Sequence, residues 1–348
     1  MATARLPTLD LLLPGLLPAP STGMTGASAP RLPALERLLA RSDRTTLADS
    51  TAGRWLMRRF DVPSDGEMPA GALSLLGDGG SPGEACWLRA DPVHLRLQRD
   101  QLVLADHRVF GISQGEAEAL TDALNRHFAG DGLVFYPLRP ERWYLRTATV
   151  PAILTTPLAE AVGRSIDPIL PRGPDALTWH RLGNEIQMLL HGVPQNMERE
   201  SRGMLAVNSI WLWGAGILPA NLTRPYALVL GDDPLARGLA CAAGCEVHAP
   251  DENAGAALAR PLPGDALWCD SRLDTLHAYG DDAAVTTALR GMEETLFAPA
   301  LDALKRGRID SVRIVTFSGN GGIAFTARRS GLLRFWRTDR KLSDYASA

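Results

Sequence analysis

From Tyr226 onward the chain alternates short apolar runs with stretches of helical spacing, and that alternation restricts the architecture more than any other feature. Tyr226–Leu230, Glu246–His248, Ala266–Cys269 and Ser311–Phe317 read as strands. Pro234–Ala243 and Asp282–Arg306 read as helices between them. Such alternation predicts a parallel or mixed sheet with helices on both faces. The start of the chain supplies matching pieces. Residues 6–13 read as a buried strand ending at Pro14-Gly15. Pro33–Arg41 carries Leu35, Leu38 and Leu39 at helical spacing. Residues 61–84 are rich in Gly, Pro, Asp and Ser and read as loop with a short turn near Leu73–Leu76. Ile323–Ala327 and Leu332–Arg337 read as closing strands, and Gly319, Gly321 and Gly322 around Asn320 as a hairpin turn.

The middle of the chain has a different rhythm. Cys86–Ala90, Val93–Gln98 and Gln101–Ala105 are strand-like, with Arg99-Asp100 as a hairpin tip. Ser113 followed by Glu116 is a capping-box pattern that starts a helix running to about Phe128. Leu133–Leu138 and Arg142–Thr147 are two more strands, Asp175–His191 is an amphipathic helix, and Asn208–Trp213 is a strand ending in Gly214-Ala215-Gly216. The expected organisation is an α/β core from residues 1–84 and 221–348, with a smaller α+β domain, residues 85–220, inserted into it.

Composition limits the partners. The chain has 348 residues, 45% of them hydrophobic, and a net charge of −3. A core of useful size is available without staples. With no excess of positive charge, neither nucleic acid nor a membrane is expected as partner. Cys86, Cys241, Cys245 and Cys269 form no CxxC pair and fit no zinc module, which predicts reduced thiols and a cytoplasmic location. The leucines at 11–13 and 16–17 are too few, and too interrupted by Pro14 and Pro18, for a signal core.

The order of motifs carries a resemblance. Leu182–His191, Pro194-Gln195-Asn196 with Arg199, Asn208, and Trp211–Gly216 resemble the archaeal-type cofactor-independent phosphoglycerate mutases of the alkaline phosphatase superfamily. Leu32–Ala40, Cys86–Ala105 and Asp265–Arg306 are similar to further segments of that family. Trp87–Leu95 and Arg142-Trp143-Tyr144 resemble, more narrowly, a bacterial group of RpfE-type regulatory proteins. The resemblance implies an alkaline-phosphatase-like core sheet and an inserted substrate domain.

Active members of that family use two divalent metals and a serine nucleophile. Two cations flank the phosphoryl group and stabilise the attacking alkoxide, and hard Mg or Mn sites require carboxylates and imidazoles. The family's P-D-G after the first strand reads here Pro14-Gly15-Leu16, without the aspartate. Its G-S-D nucleophile segment corresponds to Ala48–Ala52, leaving Ser50 as a weak catalytic candidate. Its D-x-x-x-H is echoed by Asp270, Asp274 and His277 at altered spacing, the remaining candidates for metal. Val315–Asn320 lacks the family's Asp-His, and Phe325–Arg328 lacks its final His. Three groups cannot hold two hard dications with an open position. The ligand side is better kept: Arg89, Arg142, Arg146, Asn196, Arg199 and Arg202 are the candidates for an interdomain cleft, because guanidinium forks suit phosphate and carboxylate. The expectation is a non-catalytic regulatory protein on a mutase-like scaffold, with no cofactor and with a small phosphorylated or carboxylated metabolite, or a protein, as partner. The alternative is a diverged phosphoglycerate mutase or phosphatase that uses Mn or Mg.

Overall fold

In the computed structural model the described residues are 5–17, 30–63, 66–248, 254–318, 321–334 and 336–346. Among them are twelve strands: β1 (Thr8–Leu12), β2 (Asp43–Leu47), β3 (Cys86–Gln98), β4 (Gln101–Ala105), β5 (Val134–Arg139), β6 (Arg142–Thr147), β7 (Ser209–Gly216), β8 (Leu228–Gly231), β9 (Glu246–His248), β10 (Ala266–Cys269), β11 (Ser311–Ser318) and β12 (Gly321–Arg328). Two compact units divide the chain, Met1–Val62 with Asn221–Ala348, and Pro63–Ala220.

The first unit carries a seven-stranded sheet in the order β2-β12-β11-β1-β10-β8-β9. β11, β1, β10, β8 and β9 run parallel, and β12 and β2 close one edge antiparallel. Central parallel strands are covered on both faces, and β1 is accordingly buried almost throughout. Its alternation sorts the side chains. Leu9 and Leu11 enter a core with Leu35, Leu38, Leu289 and Leu304, and Asp10 points to the opposite face.

The helix Pro33–Ala40 has no side-chain cap of its own. Glu293 supplies one from a distant part of the chain, accepting from Ala34 N at 2.6 Å and Leu35 N at 3.2 Å. Glu293 opens a π-helical turn, Glu293–Phe297, between the helices Asp282–Met292 and Ala298–Lys305. The helix expected over 282–306 is therefore continuous but widened in the middle.

The second unit is an antiparallel sheet, β4-β3-β6-β5, with β7 on the other side of β3. The two strands expected over 86–98 are one strand of 13 residues. Pro92 is tolerated within it, opposite Ile210 of β7. The capping box at Ser113 and Glu116 forms as expected. Helices Gln114–His127 and Ala176–His191 bury Leu120, Leu124, Ile186 and Leu190 against Leu88, Trp143, Leu145 and Leu212.

Three readings are corrected. Residues 61–84 are not only loop: Ala70–Gly77 is a helix, because its small residues allow close approach to the sheet. A Cβ on Gly71 would lie 2.4 Å from the Trp87 carbonyl oxygen. That packing puts residues 63–84 in the second unit rather than the first. The described residues of Leu332–Arg337 form no strand. β2 already occupies the free edge of β12, and the chain turns through a 3₁₀ segment, Ser330–Leu333. The Gly-rich turn at 319–320 lies outside the described residues.

Candidate functional site

Parallel α/β sheets bind ligands beyond the carboxyl ends of their strands. In the first unit this edge comprises the turns after β1, β8 and β10. After β1 the chain continues along β11, with Leu13 N donating to Val315 O and Gly15 N to Phe317 O. Gly15 has φ +75°, and a Cβ there would lie 2.5 Å from Asp274 N. Only glycine meets both demands. Leu13, Leu16 and Leu17 around it are buried. This strand end, where the resemblance led to the expectation of an aspartate, is closed by backbone and leucine.

After β10, Asp270 is 5% exposed and turned inward. Arg272 clasps its carboxylate, with Nε 3.0 Å from both oxygens, Nη2 2.6 Å from Oδ2, and its backbone N 3.0 Å from Oδ1. After β8, Asp233 caps the helix Pro234–Ala242 through Ala236 N at 2.8 Å. These acids surround the Cys269 thiol. Burial first, and then the charges of Asp233, Asp270 and Asp232, push that thiol well up. It is an inert core group. His277 is held below its ordinary value by burial, against a hydrogen bond with the Gly15 backbone. Asp274 lies in the first turn of the helix Arg272–Ala278. Ser50 is exposed just ahead of the helix Ala52–Arg59, where Thr51 is the cap and Asp49 pairs with Arg58.

A pair of hard dications does not fit this donor set. Position 15 admits no side chain, Asp270 already faces a guanidinium, and Asp233 is spent on a helix end. No group of three or more His, Cys, Asp or Glu among the described residues has metal-holding geometry.

In the second unit the predicted ligand residues fall into two classes. Asn196 and Arg199 are framework. Asn196 bonds Leu190 O, Val207 O and Val207 N. Arg199 donates to Leu205 O, Glu116 Oε1, Phe110 O and Gly111 O, with 2% exposure. Little of its fork remains for a ligand. Arg202 is exposed and pairs with Glu198 one turn back.

The other class lies on one sheet face. Arg142, Tyr144 and Arg146 alternate on β6, and Arg89 of β3 sits opposite Tyr144. Arg89 pairs with buried Asp91 and lies 5.5 Å from the Tyr144 ring and 5.3 Å from the Trp213 ring. Trp213 Nε1 donates to Asp91 at 2.7 Å. Arg142 is bidentate to Asp78 at 2.8 and 2.9 Å, and Tyr144 donates to the same carboxylate at 2.6 Å. Burial pushes Asp78 up, but the Arg142 fork and charge and the Tyr144 hydroxyl outweigh it and hold the carboxyl below its ordinary value. Burial likewise pushes the Tyr144 hydroxyl up. Arg146 stands exposed at the end of this row.

Sequence reasoning missed Asp78, Asp91 and a matching cluster in the first unit. There Asp10, 1% exposed, accepts from Arg313 and from Tyr226 OH at 2.6 Å, and Arg59 donates to Tyr226 at 3.1 Å. The available signal was a charged residue inside an apolar strand, Leu9-Asp10-Leu11, because a buried charge requires a partner.

No family model matches the chain. Two relatives align over long stretches. The 2,3-bisphosphoglycerate-independent phosphoglycerate mutase of Methanosarcina mazei is 28% identical over 236 residues, covering 61% of this chain and 59% of the relative. A probable mutase of the same kind from Geobacter sulfurreducens is 31% identical over 188 residues, covering 52% and 47%. The chain is a distant homologue of the archaeal-type cofactor-independent phosphoglycerate mutases. It spans about half the length of the relatives it matches. Among solved structures, the PH0037 protein from Pyrococcus horikoshii shares the fold, with TM-score 0.54 and 14% identity over 94% of this chain and 88% of that one. A cofactor-independent phosphoglycerate mutase from Thermoplasma acidophilum aligns with TM-score 0.44 and 17% identity over 97% and 94%. The α/β fold, a mixed sheet with a second antiparallel sheet, is as the sequence predicts. The narrower likeness to RpfE-type regulatory proteins finds no support among these relatives. No helix among the described residues is long and apolar enough to cross a membrane. Cys86, Cys245 and Cys269 are buried free thiols and Cys241 is an exposed one.

Proposed function

We propose that this phosphoglycerate mutase-like chain performs no two-metal phosphoryl transfer and acts as a regulatory binder of a small phosphorylated or carboxylated metabolite. The observation that carries this reading is the Asp270 carboxylate, clasped by Arg272 through both oxygens where a metal-using site needs an open acid. A guanidinium in that place neutralises the charge but offers no Lewis acidity and no bound water to activate. The anion would be held on the basic face of the second unit. Exposed Arg146 presents its fork there, two strand positions from Tyr144, while Arg142, its own fork bidentate to Asp78, adds positive charge.

A second reading, a diverged metal-dependent mutase or phosphatase, is favoured by the relatives, which carry the mutase name. Ser50 would be its nucleophile, with Asp270, Asp274 and His277 rearranged onto metal. The two readings part on a thermal-shift titration with 3-phosphoglycerate, with and without Mn²⁺. Binding on the sheet face raises the melting temperature without metal, and Arg146→Ala weakens the ligand by about tenfold, the scale of one charge-assisted contact. Stabilisation that needs Mn²⁺ and ignores Arg146→Ala would reject the binder reading and favour the second.

A further inference from the structure

Residues 328–341 carry six basic side chains and one acidic one, in a chain whose net charge is −3. An average over the whole sequence hides this concentration. The fold gathers it further. Asp43, at the start of edge strand β2, bonds Arg334 and has Arg337 at 3.8 Å and Arg328 at 4.0 Å. One carboxylate cannot neutralise three guanidiniums. Arg337 also donates to Ser42 O at 2.6 Å, which fastens the segment to the sheet edge. The acid within the run, Asp339, is shared by two more cations, Arg37 at 3.2 Å and Arg41 at 3.8 Å. Arg340 and Lys341 follow, both exposed.

Two large apolar side chains stand out among these charges. Leu333 is 76% exposed and Trp336 is 67% exposed. The pair lies between Arg328 and Lys341, Leu333 at the end of the 3₁₀ segment Ser330–Leu333 and Trp336 in the turn after it. Cations beside an outward aliphatic and an outward indole form the composition of an interfacial anchor. Indoles settle at the headgroup level of a bilayer. Guanidinium forks match phosphate oxygens, and basic clusters are drawn to anionic leaflets within a Debye length.

We propose that this face of the first unit docks on the surface of an anionic phospholipid bilayer, its arginines on the headgroup phosphates and Leu333 and Trp336 seated at the acyl boundary. Nucleic acid offers the same phosphates. Leu333 separates the two, because an aliphatic side chain gains from the acyl boundary and offers no stacking plane to a base. The inference departs from the expectation, drawn from net charge, of no membrane partner. It is independent of what the second unit binds.

The test is co-sedimentation of the full chain with vesicles of phosphatidylcholine alone and of phosphatidylcholine mixed with phosphatidylglycerol. Expected is binding to the mixed vesicles at low salt, none to phosphatidylcholine, and loss of binding at high salt. The variant Leu333→Ser/Trp336→Ser, changed only at exposed positions, should bind about tenfold or more weakly while its circular dichroism and melting temperature stay unchanged. Arg337→Glu/Lys341→Glu should abolish binding. Absence of binding to the mixed vesicles at low salt overturns the proposal. So does full binding by the serine variant, or tight binding of a single-stranded oligonucleotide without vesicle binding.

Discussion

Arg199 shows how a residue can look like a ligand group and serve as a beam. Its motif with Asn196 suggested anion binding, yet the fork is consumed by three carbonyls and Glu116. Removing one partner of such a buried network strands the others. Arg199→Met is expected to destabilise the protein by about 3 kcal/mol or more, read as a lower midpoint in urea, and an unchanged midpoint would refute the framework role. Asp78 makes a different prediction. Its carboxyl is held below the ordinary value by Arg142 and Tyr144 against burial. The folded state thus binds fewer protons there than the unfolded state. The associated stability is present above the unfolded value of about 3.9 and is lost as pH falls through the lower folded value. The stability difference between the wild type and Asp78→Asn should shrink on acidification below about pH 4. A difference that stays constant down to the acid limit would contradict the assignment.

At the scale of elements, close approach governs the helix Ala70–Gly77. Gly71 sits where a methyl group would strike the backbone of Trp87 and Leu88. Backbone cannot yield as a side-chain end does, so Gly71→Ala is expected to cost about 1–3 kcal/mol, seen as a lowered melting temperature. A neutral or stabilising result would show that the helix can lift away. This helix was not legible in the sequence, since Ala-Gly-Ala-Leu-Ser-Leu-Leu-Gly lies in a segment whose Gly, Pro and Ser content reads as loop. Its reason to exist is tertiary, a smooth surface for a strand. Strands β8 and β10 were legible because parallel strands buried on both faces are nearly continuously apolar, and β11 because Val312, Ile314, Val315 and Phe317 dominate it. The helix Gln114–His127 was legible because its cap is local, two side chains three residues apart. The cap of Pro33–Ala40 was not, because Glu293 reaches it from 259 residues away.

For the whole molecule, the sequence similarity to phosphoglycerate mutases extends over about half of the chain, and the positions where the resemblance led to metal and nucleophile expectations are differently occupied. The losses at Pro14-Gly15 and after β11 could be read directly from missing residue types. The state of Asp270 could not, since the aspartate is present and only the structure shows Arg272 closed upon it. The acids that do gather at the strand ends cap a helix or meet a guanidinium. On the proposed reading, such an arrangement keeps a shell and turns its charges to stability. The most direct measurement is a coupled phosphoglycerate mutase assay on the purified, folded chain, with and without Mn²⁺. The account predicts no conversion in either condition, and none gained or lost in Ser50→Ala. Metal-dependent conversion that Ser50→Ala abolishes would contradict it.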